Sequence, residues 1–248
     1  MKVTAVVPAR YASSRFPGKM LATLGGEPLI VRTARQAHKV SGVDRVLVAT
    51  DDQRIFDVVY KAGFEVCMTR KDHPSGTDRI AEATAGLEAE VVVNIQGDEP
   101  FIDPVVVDRL IARMGEDDSP DMGSACTLIR SEEELVDPSV VKVVRDHQGC
   151  ALYFSRSQIP YGRDLTAAQA LEQQICFRHL GLYAYTPVFL RSWSKLPPHP
   201  LEEMEKLEQL RALANGYRIA LIETEQLAPG IDTPEDLVRA ETFMSTNP

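Results

Sequence analysis

Apolar positions in the first half of the chain switch between two periods. Short β-branched runs, Val3 to Val7, Arg45 to Ala49 and Val91 to Ile95, read as buried parallel strands. Between the first two, Pro28 to Val40 sets Leu29, Ile30, Thr33, Ala34 and Ala37 on one helical stripe, with Pro28 suited to a first turn. Asp52 to Ala62, Thr77 to Leu87 and Pro104 to Met114 repeat the helical spacing. This alternation predicts an α/β fold with a mostly parallel central sheet and helices on both faces, and in such sheets ligands sit at the carboxyl ends of the strands.

After about Asp121 the texture becomes richer in strands. Met122 to Ile129, Ser139 to Arg145 and Phe177 to Thr186 read as further strands, a β-rich elaboration of the second half. Leu201 to Tyr217 reads as one helix with Leu207, Leu210, Ala214 and Tyr217 in a stripe and Gly216 near its end. Asp232-Thr233-Pro234-Glu235 reads as the cap and first turn of a last helix through Phe243. With no low-complexity linker and no internal repeat, residues 1–248 read as a single domain.

Composition narrows the partners. A net charge of −9 argues against non-specific nucleic-acid or anionic-membrane binding, so an anionic ligand has to meet a local cluster of cations. Cys67, Cys126, Cys150 and Cys176 show no C-x-x-C and no zinc-finger spacing, which reads as reduced cytosolic thiols. MKVTAVVPAR has too short an apolar run for a signal peptide, and no stretch approaches a membrane span, so the expected location is cytoplasmic. G-x-G-x-x-G, the P-loop, G-x-S-x-G and H-E-x-x-H are all absent, as is the D-x-D of many nucleotide-sugar glycosyltransferases.

Three places can carry chemistry. Directly after the first strand, Pro8 to Lys19 holds Arg10, Arg15 and Lys19 on a loop of small residues, where backbone N–H groups and cations can hold phosphates. The same composition also fits a solvated surface loop. Val91 to Ile95 runs into Gln96-Gly97-Asp98-Glu99-Pro100, placing a carboxylate where a hard cation could sit beside a phosphate; an Asp turn before the next helix is the alternative, and Asp232 shares it as a helix cap. Alternation along Phe177 to Tyr185 puts Phe177, His179, Gly181, Tyr183 and Tyr185 on one face, a wall suited to a polyhydroxylated ligand or simply a packed aromatic face. The turn His73, Ser75, Gly76, Thr77 is a weaker signal.

Taken together, VVPARYASSRFPGK, CMTRKDHPSGTDR, VNIQGDEP, VKVVRD with ALYFSRSQIP, RHLGLYAY, LEEMEKLEQLRAL and IDTPEDL resemble the 3-deoxy-manno-octulosonate (Kdo) cytidylyltransferases, from Val3 to about Glu241. The resemblance implies a nucleotide-diphospho-sugar transferase-like fold and transfer of CMP from CTP to the anomeric hydroxyl of Kdo. It implies release of pyrophosphate, in the supply of lipopolysaccharide inner core, with Mg²⁺ as cofactor and a homodimer as the working form. By motif match Arg10, Arg15 and Lys19 bind the triphosphate, and Ser75, Gly76 and Arg79 form the cytidine pocket. Asp98 and Asp232 hold magnesium, Lys19, Asp98 and Arg10 carry catalysis, and Gln96, Arg156, His179, Tyr183 and Glu208 line the sugar site, with Arg156 facing the Kdo carboxylate. Phe16, Met20 and the short Pro229-Gly230-Ile231 approach depart from the usual pattern without removing a ligand. The 8-amino form of Kdo stays open as the sugar; a glycosyltransferase and a non-catalytic nucleotide-binding module are the competing readings.

Overall fold

The computed structural model describes residues 1–13, 15–116, 120–225 and 230–246; Ser14 of the cationic loop and Pro229 before Asp232 lie outside the described residues. The backbone forms two compact units, Met1–Ile111 with Leu227–Pro248, and Ala112–Gln226.

In the first unit, β1 (Val3–Ala9) is followed by a short antiparallel pair, β2 (Thr23–Leu24) and β3 (Glu27–Pro28), then α1 (Leu29–Ala37), β4 (Arg45–Thr50), α2 (Gln53–Lys61), β5 (Glu65–Met68), α3 (Gly76–Ala83), β6 (Val91–Asn94) and α4 (Pro104–Met114). Strand β1 lies between β6 and β4, and β5 lies outside β4, all parallel. The β-branched runs form the middle of this sheet because Val3, Val6, Val7, Val46, Val48, Val91, Val92 and Val93 are all buried. Helix α1 buries Leu29, Ile30, Ala34 and Ala37, the predicted stripe. Pro28, predicted inside its first turn, sits one residue ahead with ψ 138°, because its extended backbone closes the β2–β3 pair. Asp52 caps α2 and Ser75 caps α3, each side chain accepting a backbone N–H from the first turn. The chain runs from β1 outward through β4 to β5 and then returns to β6 on the other side of β1. The strand order therefore reverses beside β1, and the crevice at the carboxyl ends of β1 and β6 is where such a sheet binds ligands.

The second unit contains β7 (Met122–Leu128), α5 (Glu132–Val136), β8 (Lys142–Arg145), β9 (Ala151–Ser155), α6 (Ala167–Glu172), β10 (Phe177–Tyr185), α7 (Pro187–Trp193), α8 (Pro200–Glu205), α9 (Gln209–Ala214) and β11 (Ile219–Glu223). Strand β11 pairs parallel with β7, β10 antiparallel with β7, and β8 antiparallel with both β10 and β9. The strand predicted from Ser139 starts at Lys142, since the Asp137 carboxylate takes the Ser139 N–H at 2.7 Å and its carbonyl takes the Val140 N–H, holding a turn there. The single helix predicted over Leu201 to Tyr217 is two helices. Lys206 takes the left-handed conformation at φ 54°, ending α8. Glu202 spans the break, its carboxylate meeting Arg211 Nε at 2.7 Å, and the stripe stays continuous because Leu207 and Leu210 are both buried.

The chain ends in the first unit with α10 (Pro234–Thr246). Ile231 and Ala240 bury against Leu24 and Leu29, with Phe101, Leu237 and Met244 around them. The cap predicted at Asp232 falls to Thr233 instead, whose hydroxyl accepts the Asp236 N–H while the Asp236 carboxylate accepts the N–H groups of Asp232 and Thr233. That leaves the Asp232 side chain available for other work.

Candidate active site

The loop after β1 and the turn after β6 meet closely. A Cβ on Gly97 would lie 2.8 Å from Met20 Sδ and 3.0 Å from the Pro8 carbonyl oxygen, so only glycine lets the two strand ends approach this far. Thr33 of α1 points its hydroxyl at the Gly97 carbonyl at 2.9 Å. The Ile231 N–H donates to the Asp98 carbonyl at 2.9 Å, which ties the segment carrying Asp232 to the turn carrying Asp98.

Lys19 lies at the centre of this crossing. It begins a 3-10 turn behind Gly18, itself at φ 73° beneath the Tyr11 ring, and only 5% of its surface is exposed. Its Nζ donates to Asp98 Oδ2 at 2.6 Å and to Asp232 Oδ1 at 3.1 Å, and Arg15 Nη2 reaches the same Asp232 oxygen at 3.0 Å. Arg10 is exposed, with no ion-pair partner among the described residues. Glu99, to which the sequence reading gave no role, has its carboxyl pushed up to about 7, first by burial and then by the charges of Asp98 and Asp232. Two carboxylates therefore share one ammonium, and their charges reach the buried Glu99 beside them. Gln96 is half-buried and donates to Asn94 Oδ1 at 3.2 Å.

The expected cytidine residues stand on α3. Ser75 is spent on its cap: its Oγ accepts the Asp78 N–H at 3.2 Å and donates to Asp78 Oδ2 at 2.7 Å. Gly76 follows beside Pro8, where an added Cβ would make ordinary contact with the ring at 3.9 Å. Arg79 is buried, with Nη2 2.8 Å from Asp51 Oδ2 and Nη1 on Thr69 Oγ1, so its guanidinium fixes the ends of β4 and β5. His73 bonds Glu82, whose carboxyl lies below its ordinary range: burial pulls upward, and the bonds from His73 and the Arg70 N–H outweigh it.

In the second unit the expected sugar residues fall into two groups. Along β10 the pairing with β7 shifts between Leu180 and Tyr183, so Gly181 and Leu182 are extra on β10. Two extra residues preserve the alternation, and His179 and Tyr183 meet on one face with ring centroids 5.4 Å apart, continued by Tyr183 to Tyr185 at 6.1 Å. His179 Nε2 lies 2.9 Å from Ser124 Oγ, and burial pushes the imidazole down to about 3, so the ring is neutral at pH 7. Arg156 is held on another edge: its Nε donates to the Glu205 carbonyl at 2.7 Å, its Nη1 to Pro138 O at 2.9 Å, and its N–H to Glu205 Oε2 at 2.9 Å. Lys142, fully buried, satisfies all three of its N–H bonds with the carbonyls of Asp137, Val140 and Arg156 and so clamps this turn. Glu208 is exposed just ahead of α9. Within each unit the structure thus brings together Lys19, Arg15, Asp98 and Asp232, and His179 with Tyr183.

The cytidylyltransferase family model matches residues 4–219. The 3-deoxy-manno-octulosonate cytidylyltransferase of Syntrophotalea carbinolica is 51% identical over 98% of this chain and 99% of its own, and that of Geobacter sulfurreducens 46% over 96% and 97%. Among solved structures, a CMP:2-keto-3-deoxy-manno-octonic acid synthetase complexed with CTP is 41% identical, with a TM-score of 0.94 and both chains covered in full. A 4-diphosphocytidyl-2C-methyl-D-erythritol synthase from Anaerococcus prevotii, 14% identical with a TM-score of 0.63 over 98% of each chain, shares the fold. On these grounds the chain belongs to the 3-deoxy-manno-octulosonate cytidylyltransferase family.

Proposed function

We propose that this chain transfers CMP from CTP to the anomeric hydroxyl of Kdo, releasing pyrophosphate and giving CMP-Kdo for lipopolysaccharide synthesis. The observation that carries the reading is the Lys19 ammonium held between Asp98 and Asp232 where β1 and β6 end. In the step, the sugar hydroxyl oxygen bonds to the α-phosphorus, the bond from that phosphorus to the bridging oxygen of the β-phosphate breaks, pyrophosphate leaves and the hydroxyl proton passes to solvent. Arg10 and Arg15 bind the β- and γ-phosphates, exposed cations on the loop a triphosphate would meet. Lys19 directs its charge at the α-phosphate, where negative charge grows during attack. Ser75 and Gly76 receive the nucleotide near the start of α3, with Arg79 holding that end of the sheet in place. Gln96, His179, Tyr183 and Glu208 line the sugar site, and Arg156, fixed by Glu205 and Lys142, pairs with the sugar carboxylate.

The donor set fits magnesium: Asp98 and Asp232, which here share the Lys19 ammonium, are the hard carboxylate donors such an ion takes. Asp98 and Asp232 would hold the ion. Bound there, it would supply Lewis-acid charge at the α-phosphate and lower the pKa of the attacking hydroxyl. We read the working form as a cytoplasmic homodimer of one nucleotidyltransferase domain, as its family implies; the four free cysteines fit a reducing compartment, and among the described residues no helix is long and apolar enough to cross a membrane.

The test is pyrophosphate release by the purified protein with Mg²⁺, crossing CTP, UTP and ATP with Kdo, 8-amino-Kdo, a sialic acid and a sugar-1-phosphate. Release with CTP and Kdo is expected. Release with another sugar only would replace the substrate, and CTP binding without release for any pair would overturn the enzyme reading.

A further inference from the structure

The bulge in β10 gathers an unusual set of acceptors around one hydroxyl. Ser124 of β7 is fully buried, and its Oγ lies 2.9 Å from the Leu182 carbonyl, 3.2 Å from the Leu180 carbonyl and 2.9 Å from His179 Nε2. The two carbonyls meet the same hydroxyl because Gly181 and Leu182 are the extra residues of the bulge. A serine hydroxyl has one proton, and a carbonyl oxygen can only accept. Were that proton given to His179, two carbonyl oxygens would face the Ser124 lone pairs with nothing between them, a repulsive arrangement in a dry interior. The proton therefore goes to a carbonyl, and Ser124 Oγ accepts from the ring.

We infer that Ser124 is a positioning residue that holds His179 in the Nε2–H tautomer, so that the ring presents Nδ1 to the sugar as a hydrogen-bond acceptor. This deepens the proposed function and rests on the reading of His179 as a sugar-site residue. The ring plane is fixed as well, edge-on to Phe154 at 5.0 Å and tilted against Tyr183 at 5.4 Å. Nδ1 has no hydrogen-bond partner among the described residues, and the side chain is half-buried, so a ligand can reach it. An acceptor nitrogen on a neutral ring takes a hydrogen bond from a sugar hydroxyl and repels a carboxylate oxygen. His179 then sorts the two kinds of oxygen on the substrate: hydroxyl to His179, carboxylate to Arg156.

The test uses the full chain labelled with ¹⁵N-histidine, the His179 signals being assigned by their loss in His179→Gln among the five histidines. At pH 7.5 the expected pattern is a protonated, pyrrole-like Nε2 and an unprotonated, pyridine-like Nδ1. The reverse pattern, averaged shifts, or an imidazolium would overturn the tautomer assignment. In Ser124→Ala the two shifts should move toward averaging, and KM for Kdo should rise about tenfold, the size of losing one net hydrogen bond, with KM for CTP unchanged. An unchanged KM for Kdo would overturn the positioning role. Kdo added with a non-reacting CTP analogue should shift Nδ1 specifically. A correct tautomer whose Nδ1 ignores saturating Kdo would instead sink the sugar-site reading of His179, which separates the two failures.

Discussion

Replacing Lys19 with methionine separates the chemical and structural roles of the buried ammonium. Methionine keeps the apolar stem and removes the charge. Two carboxylates then lose their common partner, but Asp98 and Asp232 keep 29% and 48% of their side-chain surface open to water, and Arg15 still pairs with Asp232 at 3.0 Å. The cost in stability is therefore about 1–2 kcal/mol, below the roughly 3–5 kcal/mol of breaking a fully buried pair. For a chain of this size that is a fall in Tm of roughly 2–8 °C. The role proposed for Lys19, charge directed at the α-phosphate, predicts a larger catalytic loss: about 10²- to 10³-fold in kcat, or ~2.7–4 kcal/mol of transition-state stabilisation. The assay is pyrophosphate release at saturating CTP and Kdo, with thermal melts on the same samples. A kcat within about threefold of wild type, whatever the melt shows, would refute the role given to Lys19.

Gly97→Ala forces a Cβ against the Pro8 carbonyl oxygen at 3.0 Å, which, unlike the flexible Met20 sulfur, cannot step aside. A loss of about 1–3 kcal/mol and a displaced Asp98 should follow, read as lower Tm together with lower kcat. His179 is held neutral by burial down to about 3, so the unfolded chain binds a proton that the folded chain refuses between that value and the ordinary 6.5. Stability contributed by this residue is present above pH 6.5 and is lost as pH falls toward 3; urea melts of wild type and His179→Gln from pH 4.5 to 7.5 should show a shallower slope in the variant. Glu205→Ala removes the acceptor of the Ser155 hydroxyl at 2.6 Å and of the Arg156 N–H at 2.9 Å, and KM for Kdo should rise about five- to tenfold, while Glu205→Gln, which keeps an oxygen there, should stay near wild type.

How much of this was legible follows from how local each signal is. The central strands and α4 stood out because β-branched runs and a full helical stripe are each continuous in sequence, and α4 spans the predicted Pro104 to Met114. Strand β5, Glu65–Met68, was missed: at the outside of the parallel set it buries little, and its apolar run is only Val66 to Met68, too short to stand out. Strand β9 was missed for a related reason, with Leu152 of its short span exposed. The break at Lys206 is invisible to periodicity, because both halves of the stripe continue in phase while a single residue turns left-handed. At the site, the places of the cationic loop and the Asp98 turn could be read because position after a strand is a local property. The Lys19 to Asp232 contact, the Arg79 to Asp51 pair and the Ser124 to His179 bond join residues far apart in the chain, and a single sequence does not encode which distant partners meet. Glu99 carries no such local signal, since its raised pKa arises first from burial and then from the charges of Asp98 and the distant Asp232.

In this chemistry the bond formed is to the α-phosphorus of CTP. The most direct measurement follows two labels in parallel with Kdo and Mg²⁺, α-³²P-CTP and γ-³²P-CTP, resolving sugar nucleotide, pyrophosphate and phosphate. The α label is expected in CMP-Kdo and the γ label in pyrophosphate, in equal amounts and only when Kdo is present. The γ label in the sugar product, or release of either label without Kdo, would contradict it.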